Sequence, residues 1–175
     1  MAIIQDASTG RTATVDDENR LATFSVSQLE DKHANIEGTY WSAYFQVTPD
    51  NANSKFFYLQ NTGTDDLSVT DIRISSTVAT NVLLDVVSGA PTFVTGNNAA
   101  IVNRNLGSSK VPALIAKYDT DITGLVDDGV LLFQECDTVN RLYHFKSSST
   151  IIIPQGQAIA LQRVAATGLM TVLVS

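Results

Sequence analysis

One cysteine, Cys136, is the whole thiol complement of this 175-residue chain. No intrachain disulfide can form, which excludes a small secreted module stapled by cystines. Histidine is almost as scarce. His33 and His144 lie far apart in the sequence and cannot by themselves fill a transition-metal shell of the cupin kind, which needs several histidines and a carboxylate. Charge is thin as well, at 17% of residues, with 11 Lys+Arg against 18 Asp+Glu and a net charge of −7. A protein that holds nucleic acid along its whole chain by neutralising phosphates does not fit that balance, and no nucleic-acid partner is expected. No apolar run approaches the ~20 residues that a membrane helix needs, so no membrane partner is expected either. Met1 to Gly10 lacks a basic stretch followed by an apolar core, so the expectation is a soluble product made in the cytoplasm without a secretory leader.

What is abundant is β-former. Threonine, valine and isoleucine number 19, 17 and 12, and hydrophobic residues make up 44% of the chain. Such a length fits one domain, or one domain with an arm, and can bury a sizeable core without metal or disulfide. The pattern divides into an N-terminal arm, residues 1–36, and a body, residues 37–175. In the arm, the polar cluster Asp16-Asp17-Glu18-Asn19 separates Arg11–Val15 from Arg20–Ser27. Both flanks alternate polar and apolar residues, which predicts a hairpin. Gln28 to Asn35 reads as a short helical turn. The arm carries few large apolar side chains, among them Ile3, Ile4, Leu21, Phe24, Val26 and Leu29. They cannot form a core alone, so the arm is expected to lie on the body or on a neighbour.

The body reads as short strands with turn signals every ten or so residues. Tyr40–Thr48 ends at Pro49-Asp50-Asn51, and Lys55–Asn61 ends at Thr62-Gly63. Leu67–Ile74 switches parity between Val69 and Ile72, which predicts a β-bulge near Thr70. Val82–Val87 is nearly continuous in apolar residues and Ser88-Gly89-Ala90-Pro91 reads as its turn, leading into Thr92–Val94. Ala99–Val102 and Val111–Tyr118 flank a polar loop, Asn103–Lys110. Asp119–Asp128 reads as an acidic loop, followed by strands over Val130–Phe133 and Arg141–Phe145. Ile151–Ile153, Ala158–Val164 and Gly168–Val174 close the chain, with Pro154 and Gly156 marking a tight turn. Many short strands with no βαβ alternation predict an all-β sandwich or barrel.

The chemistry is sparse. A G-x-S-x-G elbow is absent, and Gly107-Ser108-Ser109-Lys110 lacks P-loop spacing. Asp119, Asp121, Asp127 and Asp128 could supply oxygens to calcium but lack EF-hand spacing, and a solvated acidic loop is the plainer alternative. Asp16, Asp17 and Glu18 are a similar hairpin tip. Glu135 has no evident partner for a glycosidase pair, and Cys136 reads as a small buried thiol. Tyr40, Trp41, Tyr44, Phe45, Phe56, Phe57 and Tyr58 crowd two neighbouring strands, as sandwich core or as a sugar- or partner-binding face. No catalytic, cofactor-binding or metal-binding residue is assigned, and the chain is expected not to be an enzyme.

A resemblance narrows this. The opening, Ile4-Gln5-Asp6 through Gly10–Val15 to Asn19-Arg20-Leu21, resembles the start of virion structural proteins of tailed bacteriophages. Phe57–Asn61, Asn103–Ser109 and Ile153–Ala160 resemble later landmarks of the same group, in the same order. The resemblance spans nearly the whole chain. It implies an all-β, jelly-roll-like β-sandwich body carrying a short N-terminal hairpin arm. The implied role is a capsid decoration (cement) protein, bound as a homo-oligomer, by analogy a homotrimer, to the lattice of the major capsid protein. It implies a virion location and no cofactor. A tail or baseplate component, or a receptor- or glycan-binding module, is the alternative.

Overall fold

The structure is a computed structural model; it describes residues 34–145, 150–164 and 168–175 in full, and residues 2–5, 12–15 and 21–22 as backbone strands. The chain forms two compact units, Met1–His33 and Ala34–Ser175. In the first unit, β1 (Ala2–Gln5), β2 (Thr12–Val15) and β3 (Leu21–Ala22) make an antiparallel sheet in that order. Thr14 faces Ala22 and Val15 faces Leu21, so the hairpin read from the alternating flanks is there, with β1 added on the far edge of β2. The turn cluster Asp16–Asn19 lies outside the described residues. So does most of the Gln28–Asn35 segment, whose described end joins a helical turn over residues 34–36.

The second unit is all β. Its strands are β4 (Trp41–Val47), β5 (Lys55–Asn61), β6 (Leu67–Val69), β7 (Ile72–Ser76), β8 (Thr80–Phe93), β9 (Asn97–Asn98), β10 (Ala100–Asn103), β11 (Leu114–Cys136), β12 (Leu142–Phe145), β13 (Ile151–Ile153), β14 (Ala158–Arg163) and β15 (Met170–Val174). One five-stranded sheet runs β10-β4-β15-β7-β12. A second runs β5-β14-β8-β11-β9, and β6 pairs with β13. Every pairing is antiparallel, so alternate residues can face a shared interior. Ile72 and Ile74 of β7 and Met170, Val172 and Val174 of β15 do so on the first sheet, and Val82, Leu84, Ile159 and Leu161 do so on the second. Phe45 of β4 joins the two. Its ring stacks on Phe57 at 4.7 Å and on Tyr118 at 5.0 Å, both from the second sheet.

β11 is the unusual element. Its first part, from Leu114 to Tyr118, pairs with β5, and its later part, from Ile122 to Cys136, pairs with β8. Because β14 already joins β5 to β8, the 23-residue β11 closes the sheet back on itself. A second small core fills the enclosed face: Tyr58, Val87, Ile122, Ala158 and Ala160, with Phe93 and Leu125 packed against it.

Three expectations are corrected here. Asp119–Asp128 is part of β11 and not a loop, and Ser88–Pro91 is part of β8 and not a turn. The turn-forming residues are absorbed as register shifts: Thr92 faces Thr123, but Gly89 faces Leu125. Gly89 and Gly124 hold positive φ of 91° and 75° at this crossing. Nor is there a bulged single strand over Leu67–Ile74. The chain changes sheet at Thr70-Asp71, whose N–H groups both donate to the Ser175 carbonyl, at 2.8 and 3.1 Å.

The crossing gives a direct test. A Cβ on Gly124 would stand 2.5 Å from the Ala90 carbonyl oxygen, with the backbone already in the left-handed region. Gly124→Ala should therefore cost about 1–3 kcal/mol. Urea unfolding would show it as a lower midpoint at unchanged slope, and an unchanged midpoint would contradict the close approach.

Candidate functional site

An apolar opening lies between β11 and β13. It is a groove of about 510 Å³ lined by Leu131 and Leu132 on one wall and Ile151, Ile152 and Ile153 on the other, with Val86, Ala158 and Ile159 beneath. Side chains alternate along a strand, so consecutive residues lining one cavity mean that the strand turns its edge to it. Both strands have an edge to spare. From Val126 to Cys136, β11 pairs with β8 alone, and β13 pairs with β6 alone among the described residues. Around the groove, apolar side chains stand in water: Phe133 is 57% exposed, Val130 59% and Ile152 50%. Register shifts at Asp127/Gly129 and Val130/Leu132 contribute, because each bulge turns the following residue to the other side.

A buried ionisable group sits on the enclosed face of the second sheet. Asp85 of β8 is paired in register with Ala160, whose other neighbour is Tyr58, and its carboxylate oxygens have no hydrogen-bond partner. Burial pushes its pKa up to about 6, the negative charge of Asp127 adds to the rise, and Lys55 opposes it. Lys55 itself reaches Asp127 at 2.7 Å. A lone acid inside the apolar run Val82–Val87 was the available sequence signal for this site, and it carries no weight in the motif reading above. Arg163, fully buried at the end of β14, is accounted for structurally. It donates to the carbonyls of Pro49 and Asn51, holding that loop down.

The sequence candidates disperse. Of the aromatic cluster, Phe45, Phe56, Phe57 and Tyr58 are core. Trp41 is half-buried, Tyr40 lies under the Arg104 guanidinium at 4.7 Å, and Tyr44 stands 49% exposed. Tyr44 lies in one cross-strand row with Ala100, Leu173, Arg73 and His144. His144 Nδ1 is 3.5 Å from Asp71, which also pairs with Arg73; His33 lies outside the described residues.

The aspartates of β11 do not converge. Asp119 is buried, and burial alone would raise its pKa. Backbone N–H groups of Gly96, Thr95 and Thr120 and the Thr95 hydroxyl donate to it and hold it below the ordinary value. Asp127 faces Lys55, and Asp128 is exposed. No group of three or more metal-ligating side chains occurs among the described residues. Gly107–Lys110 is a turn held by Asn105 Oδ1, which accepts from Gly107 N–H, and by the Ser108 hydroxyl, which accepts from Lys110 N–H. Glu135 is exposed on β11.

Cys136 is fully buried, and burial together with the charge of Asp137 pushes its thiol up to about 11. In the native protein it should resist iodoacetamide near neutral pH and react fully once unfolded in urea. Rapid native alkylation, followed by intact mass, would contradict its placement.

No family model, no curated protein and no solved structure matches this chain.

Proposed function

We propose that the chain is a non-enzymatic structural protein of a tailed-phage virion, a capsid decoration protein with a jelly-roll-like body. It binds the outer lattice of the major capsid protein as a homo-oligomer, a trimer by analogy with the proteins it resembles. The observation that carries the assembly part of this reading is the apolar surface left open on the body: Val126, Val130, Leu131, Phe133 and Ile152 beside a strand edge that is unpaired among the described residues. Exposed edges of this kind are hazards that a monomer covers or charges, and assembly proteins use them. The phage part rests on the resemblance of Ile4–Leu21, Phe57–Asn61, Asn103–Ser109 and Ile153–Ala160. The N-terminal unit adds a second handle, since its sequence holds too few large apolar residues for a core of its own.

The test is co-sedimentation with purified phage heads. The full chain should travel with the heads, and its solution mass should be a multiple of 18.8 kDa. Removing residues 1–35 should leave the β signature in circular dichroism and abolish co-sedimentation. A truncated body that binds heads normally would refute the arm as anchor, and a chain that never binds heads would refute the decoration role.

A second reading, a receptor- or glycan-binding module of a tail, is favoured by the exposed Tyr44 beside Leu173 and Arg73. Glycan-array binding lost in Tyr44→Ala, with no binding to heads, would select it.

A further inference from the structure

We propose that the groove between β11 and β13 takes up one extended segment of another protein as an added strand, and that this segment is apolar in its middle and basic at both ends. The proposal rests on the reading of the chain as an assembly protein and names the chemistry of its partner.

The groove suits a strand better than a helix or a compact ligand. Its two walls are strands, each with an edge that is unpaired among the described residues, and main-chain N–H and C=O groups along such edges bind an incoming backbone by ladder hydrogen bonds. Leu131, Leu132, Ile151, Ile152, Ile153 and the floor residue Ile159 are all apolar, and none of the lining side chains is charged. The middle of the incoming segment is therefore apolar.

The ends are set by charge. Along β11 the apolar run Val130–Phe133 is preceded by Asp127 and Asp128 and followed by Glu135 and Asp137, all exposed. Lys55 offsets Asp127, and Arg141 lies near Asp137. Asp128 and Glu135 have no cationic partner among the described residues. They stand seven residues apart in sequence, but the two register shifts between them reduce this to five or six ladder positions, roughly 18 Å at ~3.3 Å per strand residue. A partner strand with lysine or arginine at that spacing meets both.

The same charges disfavour a second copy of this edge. Two β11 strands laid antiparallel would set Asp127 and Asp128 against Glu135 and Asp137, and laid parallel would set like on like. Directly opposed like charges destabilise a strand pair.

The test uses the full chain and a set of fluorescein-labelled peptides. Each peptide alternates Val, Ile or Thr in the middle, varied across the set, between lysines five or six positions apart. Controls carry glutamates in place of the lysines, or a central proline. At least one lysine-flanked peptide should bind saturably by anisotropy. Glutamate flanks or proline should weaken it by roughly tenfold or more. Binding should weaken with added salt. Amide hydrogen exchange should slow in residues 129–134 and 151–153 on binding. Leu131→Lys, at an exposed edge position, should abolish binding with the melting temperature unchanged. Absence of binding across the set, equal binding of the controls, or unchanged exchange in both segments would overturn the proposal. So would a homodimer that Leu131→Lys dissociates. Peptide binding without co-sedimentation with heads would remove the capsid lattice as partner and leave the groove standing; the converse would remove the groove and leave the decoration role.

Discussion

Asp85→Asn should make the protein more stable at pH 7 by about 2 kcal/mol, and should flatten its stability between pH 4 and 7. The sign follows from linkage. The folded protein holds the Asp85 proton up to about 6, whereas the unfolded chain releases it near 3.8. Between those values the folded state binds more protons, so stability falls as pH rises. The contribution is fully present below the unfolded pKa and is lost as pH passes through about 6. Two pH units of difference correspond to about 3 kcal/mol, and the asparagine amide, buried in the same place without a partner, takes back part of it. Asparagine keeps the shape of the protonated acid and cannot ionise. Urea unfolding of both proteins across this range is the measurement. Parallel curves would mean that Asp85 is solvated or paired, contrary to its burial and its unpartnered oxygens.

Phe45→Ala should be the most damaging core truncation, costing about 3–5 kcal/mol. Phe45 reaches from the first sheet to two strands of the second through Phe57 and Tyr118. Its removal takes away both stacking contacts, each worth about 0.5–1.5 kcal/mol beyond burial, and leaves a void between the sheets. Phe45→Leu should recover part of the loss by refilling volume. A loss for Phe45→Ala no larger than ~1 kcal/mol would mean that the sheets close over the gap.

Much of the architecture was legible in the sequence, and the failures have a common cause. β4, β5 and the final strands β13, β14 and β15 stand close to where alternation placed them. There Pro49-Asp50-Asn51, Thr62-Gly63 and Pro154–Gly156 really do punctuate. The same residue types misled in the middle. Gly89, Pro91 and Gly124 look like turns, but two long paired strands tolerate them as bulges, because each strand supplies the other's ladder on both sides of the irregularity. Parity alone could not separate a bulge near Thr70 from a change of sheet, since either one shifts which side chains face inward. The groove was invisible for another reason. Leu131 and Ile152 meet only because β11 and β13 are placed by different partners, β8 and β6, and no local pattern encodes that meeting. On β4 the aromatic cluster resolved through parity, with Phe45 and Val47 turned inward and Tyr44 and Gln46 out, whereas on β5 Phe56, Phe57 and Tyr58 are all buried because that strand is covered on both faces.

The place of β15 bears on how the body assembles in time. It is the middle strand of the first sheet, flanked by β4 on one side and β7 on the other, yet it comes roughly a hundred residues after both. β4 and β7 therefore have no ladder with each other to form early, and each waits with an open edge until residues 170–174 arrive between them. Closing contacts at such separation is slow, because the chain loses loop entropy before any pairing rewards it. Refolding should therefore be limited by a late, all-at-once docking of one short segment, with a transient species that is sticky along the edges of β4 and β7 until that segment is in place.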